Sequence, residues 1–128
     1  MLIDVAVQSE PITANDEAPV GSGAMVRFDG RVRPDEAGEP IDALVYEAYM
    51  PMARTQMEKI LSELAQTWPC ISARVRHRVG VIQVGETAIT VEVFSSHRAE
   101  AFALASAFMD RLKLDVPIWK LSAIPRAQ

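Results

Sequence analysis

Between Ile71 and Val79 the sequence alternates without a break. Ile71, Ala73, Val75, His77 and Val79 fall on one parity, and Ser72, Arg74, Arg76 and Arg78 fall on the other. Side chains repeat every two residues along a strand, so only a strand sorts this run into an apolar face and a basic face. The segment therefore demands a sheet with an apolar layer against one side. On this reading His77 is a hydrogen-bonded core histidine, and Arg74, Arg76 and Arg78 form the exposed face.

The same period recurs elsewhere. Residues 2–8 place Ile3, Val5 and Val7 on one side. Residues 23–29 place Ala24, Val26 and Phe28 on one side and Met25, Arg27 and Asp29 on the other. Residues 41–49 and 87–94 read as further strands. Residues 9–22, with Pro11, Pro19 and Gly21, form a connection, and Pro34 to Pro40 a turn-rich acidic loop. Two stretches carry the helical period instead. Pro51 opens the first, whose face is Met57, Ile60, Leu61, Leu64 and Trp68, and Pro69 stops it. The second runs over about 97–112 behind the capping Ser95-Ser96, with Ala101, Ala105, Phe108, Met109 and Leu112 as its buried stripe, and Pro117 blocks continuation. Val81 to Val84 is a hairpin-like link between glycines, and 116–121 is an extended apolar end. The order β-β-β-α-β-β-α-β predicts an α+β fold with a mostly antiparallel sheet and two long helices, as one domain over 1–128.

Composition narrows the function classes. With 49% hydrophobic and 23% charged residues the chain has the make-up of a globular domain rather than a disordered one. The net charge of −4 speaks against a general nucleic-acid binder. Residues 1–47 carry ten acids against three arginines, whereas residues 48–128 carry ten bases against seven acids. Base-rich stretches inside an acidic chain suit a local anion site. No apolar run reaches the roughly 18 residues of a membrane helix, no signal-peptide pattern is visible at Met1–Asp4, and the expected compartment is the cytoplasm. The single cysteine, Cys70, offers neither a disulfide nor a zinc site with only two histidines present, so it reads as structural and no metal or redox cofactor is expected.

Three places could carry chemistry. Arg31 and Arg33 in Gly30-Arg31-Val32-Arg33 point the same way on an extended backbone; they are either paired guanidiniums for a phosphate or carboxylate, or two solvated arginines. Ser95-Ser96-His97-Arg98 lies at a helix start, where free N–H groups favour an anion; its bland reading is a capping segment. Lys113 and Lys120 flank apolar residues. A desolvated lysine gains nucleophilic character, yet the same residues also suit a helix C-terminal cation and a snorkelling side chain.

Taken together, Phe28-Asp29-Gly30-Arg31-Val32-Arg33, Leu44-Val45-Tyr46-Glu47-Ala48-Tyr49, His77-Arg78-Val79-Gly80, Val84-Gly85-Glu86, Ser96-His97-Arg98-Ala99-Glu100-Ala101-Phe102 and Asp110-Arg111-Leu112-Lys113 through Pro117-Ile118-Trp119-Lys120 resemble the large, catalytic subunit of molybdopterin synthase. The resemblance runs in order from about residue 23 to 121. It implies a hammerhead-like α+β fold, a homodimer, and a small ubiquitin-like sulfur-carrier subunit docked at each far end to give a heterotetramer. It also implies transfer of sulfur from the carrier's C-terminal Gly-Gly thiocarboxylate to cyclic pyranopterin monophosphate, making the dithiolene of molybdopterin without a cofactor.

Carried over position by position, the resemblance makes Lys113 the essential lysine near the carrier terminus and Lys120 the second catalytic lysine. It makes Arg33, His97 and Arg98 substrate-binding residues, the last two supplied by the other protomer, with Phe28 and Met109 as apolar pocket positions. The chain departs from the family where Leu121-Ser122 follows Lys120 in place of a basic-acidic pair, in its short C-terminal end, and at Tyr49-Met50-Pro51-Met52. These departures leave a second reading, a non-catalytic or degenerate paralogue that binds a carrier protein or an anionic metabolite. A ferredoxin-like regulatory domain sensing an anionic metabolite is a third, and it leaves the joint presence of His97-Arg98, Lys113 and Lys120 without a purpose.

Overall fold

A computed structural model describes residues 1–127 and contains two sheets and two helices. The first sheet has the order β1-β5-β7-β2, built from Leu2–Gln8, Ser72–Arg78, Thr87–Ser95 and Ala24–Arg31. The β1–β5 pairing is parallel; β5–β7 and β7–β2 are antiparallel. Helices α1 (Met52–Thr67) and α2 (Arg98–Asp115) lie on one face of this sheet. Their buried stripes, Met57, Ile60, Leu61 and Leu64 from α1 and Ala101, Leu104, Ala105, Phe108 and Leu112 from α2, close over Val5, Ala73, Val75, Val91 and Val93. Each fully buried aliphatic or aromatic side chain here contributes about 1.5–3 kcal/mol.

The second sheet is centred on β4 (Glu39–Ala48). It pairs with β3 (Asp35–Glu36) at its start, with β6 (Gly80–Gln83) over 43–46, and with β8 (Ile118–Pro125) along most of its length, every pairing antiparallel. Because β6 and β8 contact the same β4 residues, β4 lies between them. Val32, Ile41, Leu44, Ile82 and Ala88 form a smaller core under this sheet. The α+β class with a mostly antiparallel sheet and two long helices is as the sequence predicts. No helix among the described residues is long and apolar enough to cross a membrane.

Three expectations change. Residues 34–40 form a closed hairpin, with left-handed Ala37 (φ 52°) and Gly38 (φ 83°) at its turn and Ile41 N–H donating to the Pro34 carbonyl at 3.0 Å. A turn with positive φ at both central positions matches the twist of paired strands, which explains the order of an acidic stretch that reads as a loop. Gly80–Gln83 is a strand, because it covers the β4 edge.

Finally, Arg74, Arg76 and Arg78 are largely buried rather than a solvated face: their side chains keep 21%, 15% and 9% exposure. Arg74 Nη1 lies 2.6 Å from Glu92 Oε1, and Arg76 Nη2 lies 2.9 Å from Asp4 Oδ2. Arg78 donates to the Ser9 carbonyl. The 9–23 connection crosses this face, held by Asn15 N–H donating to Glu92 Oε2 and by Arg74 donating to the Thr13 carbonyl.

Candidate active site

Where the two sheets meet the C-terminal end of α2, a cavity of about 660 Å³ opens. Strand β2 and the segment after it supply Phe28, Gly30, Arg31 and Arg33; β4 and β5 supply Tyr46 and His77. The last turns of α2 supply Met109, Leu112 and Lys113, and β8 supplies Ile118, Trp119 and Lys120. Among the described residues that line it, four are permanent or ready cations, Arg31, Arg33, Lys113 and Lys120, and none is a carboxylate.

Local structure explains these positions. The β2–β7 register shifts between Gly30 and Arg31, leaving Ala88 of β7 out of the ladder, and the pairing continues beyond it, with Val32 N–H donating to the Glu86 carbonyl. A Cβ on Gly30 would stand 2.7 Å from Ile89 Cγ2, so a larger residue here would force the Ile89 side chain or the strand to shift. Val32 is buried while Arg31 and Arg33 are exposed on either side of it, so both guanidiniums face the same way, as their spacing implies. Lys113 stands in the last turn of α2, where a cation complements the exposed carbonyls. A second shift, between Val45 and Tyr46 on β4, leaves Leu121 out of the ladder and sets Lys120 opposite Tyr46. Lys120 Nζ lies 3.0 Å from Glu36 Oε2 of the β3–β4 hairpin.

The neutral polar groups of the wall are held neutral by burial. Desolvation pushes the Tyr46 phenol above its ordinary range, against the pull of nearby Lys120. Burial lowers the His77 pKa, partly opposed by the bond between Nδ1 and the Arg78 carbonyl at 2.7 Å. A carbonyl only accepts, so Nδ1 carries the proton and Nε2 keeps its lone pair. The Tyr46 and His77 rings meet edge to face, centroids 5.4 Å apart. The wall thus offers an apolar floor, two uncharged polar groups and a ring of cations, which suits a planar molecule bearing negative charge.

A second cavity, about 460 Å³, continues from the first along β2 and α2. It shares Phe28, Met109 and Lys113 with the larger one and extends to Val26, Arg27, Phe102, Ala105, Ser106 and Asp110, so that it carries one carboxylate beside its cations. Lys113 therefore stands where a groove and a pocket meet.

Five of the seven residues singled out as site residues line one cavity: Phe28, Arg33, Met109, Lys113 and Lys120. His97 and Arg98 do not. His97 is the N-cap of α2, exposed, its carbonyl accepting from the Ser95 hydroxyl; a helix rise of about 1.5 Å per residue puts it about 24 Å from Lys113. Sequence reasoning left Tyr46, His77 and Trp119 out of the site, because the cross-strand register that collects them has no local signal.

The sequence model of the MoaE protein matches residues 4–115. The chain belongs to the MoaE family. The molybdopterin synthase catalytic subunit of Pyrococcus abyssi is 40% identical over 99 residues, 77% of this chain and 67% of that protein. The human molybdopterin synthase catalytic subunit is 42% identical over 98 residues, 77% of this chain and 52% of that protein, so the match spans about half of the human relative. The solved structure of molybdopterin synthase from Staphylococcus aureus superposes with a TM-score of 0.87 at 32% identity, covering 95% of this chain and 91% of that chain. The MoaE segment thus runs from within β1 to the end of α2; Lys113 lies inside it, whereas Lys120 on β8 lies just beyond.

Proposed function

We propose that this MoaE-family chain is the catalytic subunit of molybdopterin synthase, a sulfurtransferase. It passes sulfur from a thiocarboxylated small carrier subunit to cyclic pyranopterin monophosphate and so forms the molybdopterin dithiolene. The observation that carries the reading is the convergence of Arg31, Arg33, Lys113 and Lys120 on one partly apolar cavity with no carboxylate among the described residues of its wall. A phosphorylated, ring-shaped substrate needs fixed cations for its charge and apolar surface for its rings.

Each residue has a role in this proposal. Arg33, with Arg31 beside it, binds the phosphate. Phe28 and Met109 pack on the substrate ring system. The groove along Phe102, Ala105 and Met109 takes the extended Gly-Gly tail of the carrier, which delivers its anionic thiocarboxylate to Lys113. Lys113 positions that group and offsets negative charge developing as the sulfur is transferred. Lys120, on the opposite wall, holds the substrate and moves protons during the exchange.

His97 and Arg98 act across a homodimer, each pair completing the site of the other protomer. Their separation from Lys113 within one chain supports this arrangement. With a carrier on each protomer the assembly is a heterotetramer, acting in the cytoplasm.

The test is a single-turnover reaction with thiocarboxylated carrier and cyclic pyranopterin monophosphate, read through the fluorescent oxidised derivative of molybdopterin. Product is the expected result. A chain that binds carrier and yields no product is instead the non-catalytic paralogue to which Ser122 would point.

A further inference from the structure

We infer that Glu36, at the tip of the β3–β4 hairpin, is a positioning residue that holds Lys120 over the cavity. The inference rests on the sulfur-transfer reading above and names a residue that reading does not use. Lys120 is a long side chain on an edge strand, 45% exposed, and without an anchor its ammonium would sample many rotamers. Among the described residues Glu36 is the carboxylate paired with it, at 3.0 Å. The arm that presents Glu36 is itself fixed. The left-handed pair Ala37 and Gly38 makes a tight turn, and the Pro34 carbonyl closes the hairpin base. Arg126 N–H donates to the Pro40 carbonyl, and Ala127 N–H donates to the Asp42 carboxylate, which ties the same hairpin to the far end of β8.

Two features make this pair matter more to the site than to stability. An exposed ion pair contributes little to folding, so losing this one is expected to leave stability nearly unchanged. Every charged side chain lining the cavity among the described residues is a cation, and Glu36, which is not in that lining, reaches one of them, Lys120, from outside the substrate space. Both Glu36 and Lys120 also act electrostatically on the Tyr46 phenol, which locates the pair beside the cavity wall. The tether separates the roles of the lysines. Lys113 has no such partner among the described residues and stays free to meet an incoming anion, whereas Lys120 is held at one place.

The experiment compares Glu36→Gln, Glu36→Asp and Glu39→Gln in the single-turnover reaction with thiocarboxylated carrier and cyclic pyranopterin monophosphate. Glu39 pairs with Glu36 across the hairpin ladder and carries the same charge without bonding Lys120, so it controls for the general field. A misplaced catalytic group is expected to lower the maximal rate of Glu36→Gln about tenfold, with half-saturating substrate changed less than about twofold. Glu36→Asp recovers most of the rate, and Glu39→Gln matches the unsubstituted protein. In a Lys120→Arg background Glu36→Gln adds no further loss, because its effect runs through the lysine.

An unchanged or faster Glu36→Gln overturns the inference, as does an equal loss in Glu39→Gln or a fully additive loss with Lys120→Arg. Side-chain NMR relaxation gives a readout free of activity. The Lys120 Cε is expected to be more ordered than that of Lys59, and to lose the difference in Glu36→Gln. Equal order in the unsubstituted protein would overturn the inference. Absence of product from the unsubstituted protein would instead overturn the sulfur-transfer reading, and leave the relaxation result to decide the tether.

Discussion

Glu92 illustrates how single residues are committed in this molecule. Its side chain is 1% exposed, yet it is charged, on the central strand β7, and flanked across the ladder by Arg27 and Arg74. Both guanidiniums approach it, at 3.0 and 2.6 Å, and Asn15 N–H caps a carboxylate oxygen. A buried carboxylate is tolerated when charged and polar donors engage it, and removing it takes the buried partner from two partly buried cations, leaving Arg27 to Asp16 and Arg74 to the Thr13 carbonyl and a distant Asp4. Glu92→Ala is therefore expected to lower unfolding free energy by about 3 kcal/mol in urea titration.

His77 makes a second residue-scale case. Its folded pKa lies below the ordinary 6.5, so the unfolded chain takes up the proton first as pH falls. The stability it provides is complete above about pH 6.5 and declines as pH drops from there towards the folded value. A His77→Gln variant is expected to show a flatter fall in Tm between pH 7.5 and 5.5 than the unsubstituted protein. Parallel curves would mean that other groups govern the acid limb.

At the scale of elements, α2 runs from His97-Arg98 at its start to Lys113 at its C-terminal end beside the cavity. Its start packs against Gly23, just ahead of β2. Gly23 N–H donates to the Ser95 carbonyl, and a Cβ on Gly23 would stand 2.1 Å from the Ser96 carbonyl oxygen. That contact is with backbone, so one of the two segments must shift, and Gly23→Ala is expected to cost about 1–3 kcal/mol, seen as a lower Tm. Both helices and the strands β1, β5 and β7 were legible because one apolar period ran through each, with Pro51, Pro69 and Pro117 marking the ends. The second sheet was less so. Its strand β4 reads clearly, but nothing local states that β6 and β8 flank it, or that a bulge at Leu121 sets Lys120 opposite Tyr46. Arg74, Arg76 and Arg78 misled for a related reason: alternation separates two faces, but it does not say that a connection with Asn15 will cross the polar one.

For the whole molecule, the site residues divide between those the chain gathers and those it does not. Phe28 and Arg33 come from one stretch of the sequence, Met109, Lys113 and Lys120 from another far downstream, and they meet in one cavity; sequence order alone could not have assembled them without the family resemblance. His97 and Arg98 remain at the other end of α2. If the homodimer completes each site, Lys113→Ala and His97→Ala protomers should complement. A hybrid pair then keeps one intact site, so an equal, freely exchanging mixture of two inactive variants is expected to regain about a quarter of full turnover. No recovery, with hybrid dimers shown to form, would place His97 outside the partner's site.

The central claim is that sulfur is transferred at the cavity where Lys113 stands, and a single-turnover measurement on Lys113→Ala tests it most directly. The substituted side chain lies at an exposed helix end, so the fold and the affinity for thiocarboxylated carrier are expected to survive while molybdopterin formation is lost. Turnover near that of the unsubstituted protein would contradict the account and move the chemistry away from this cavity.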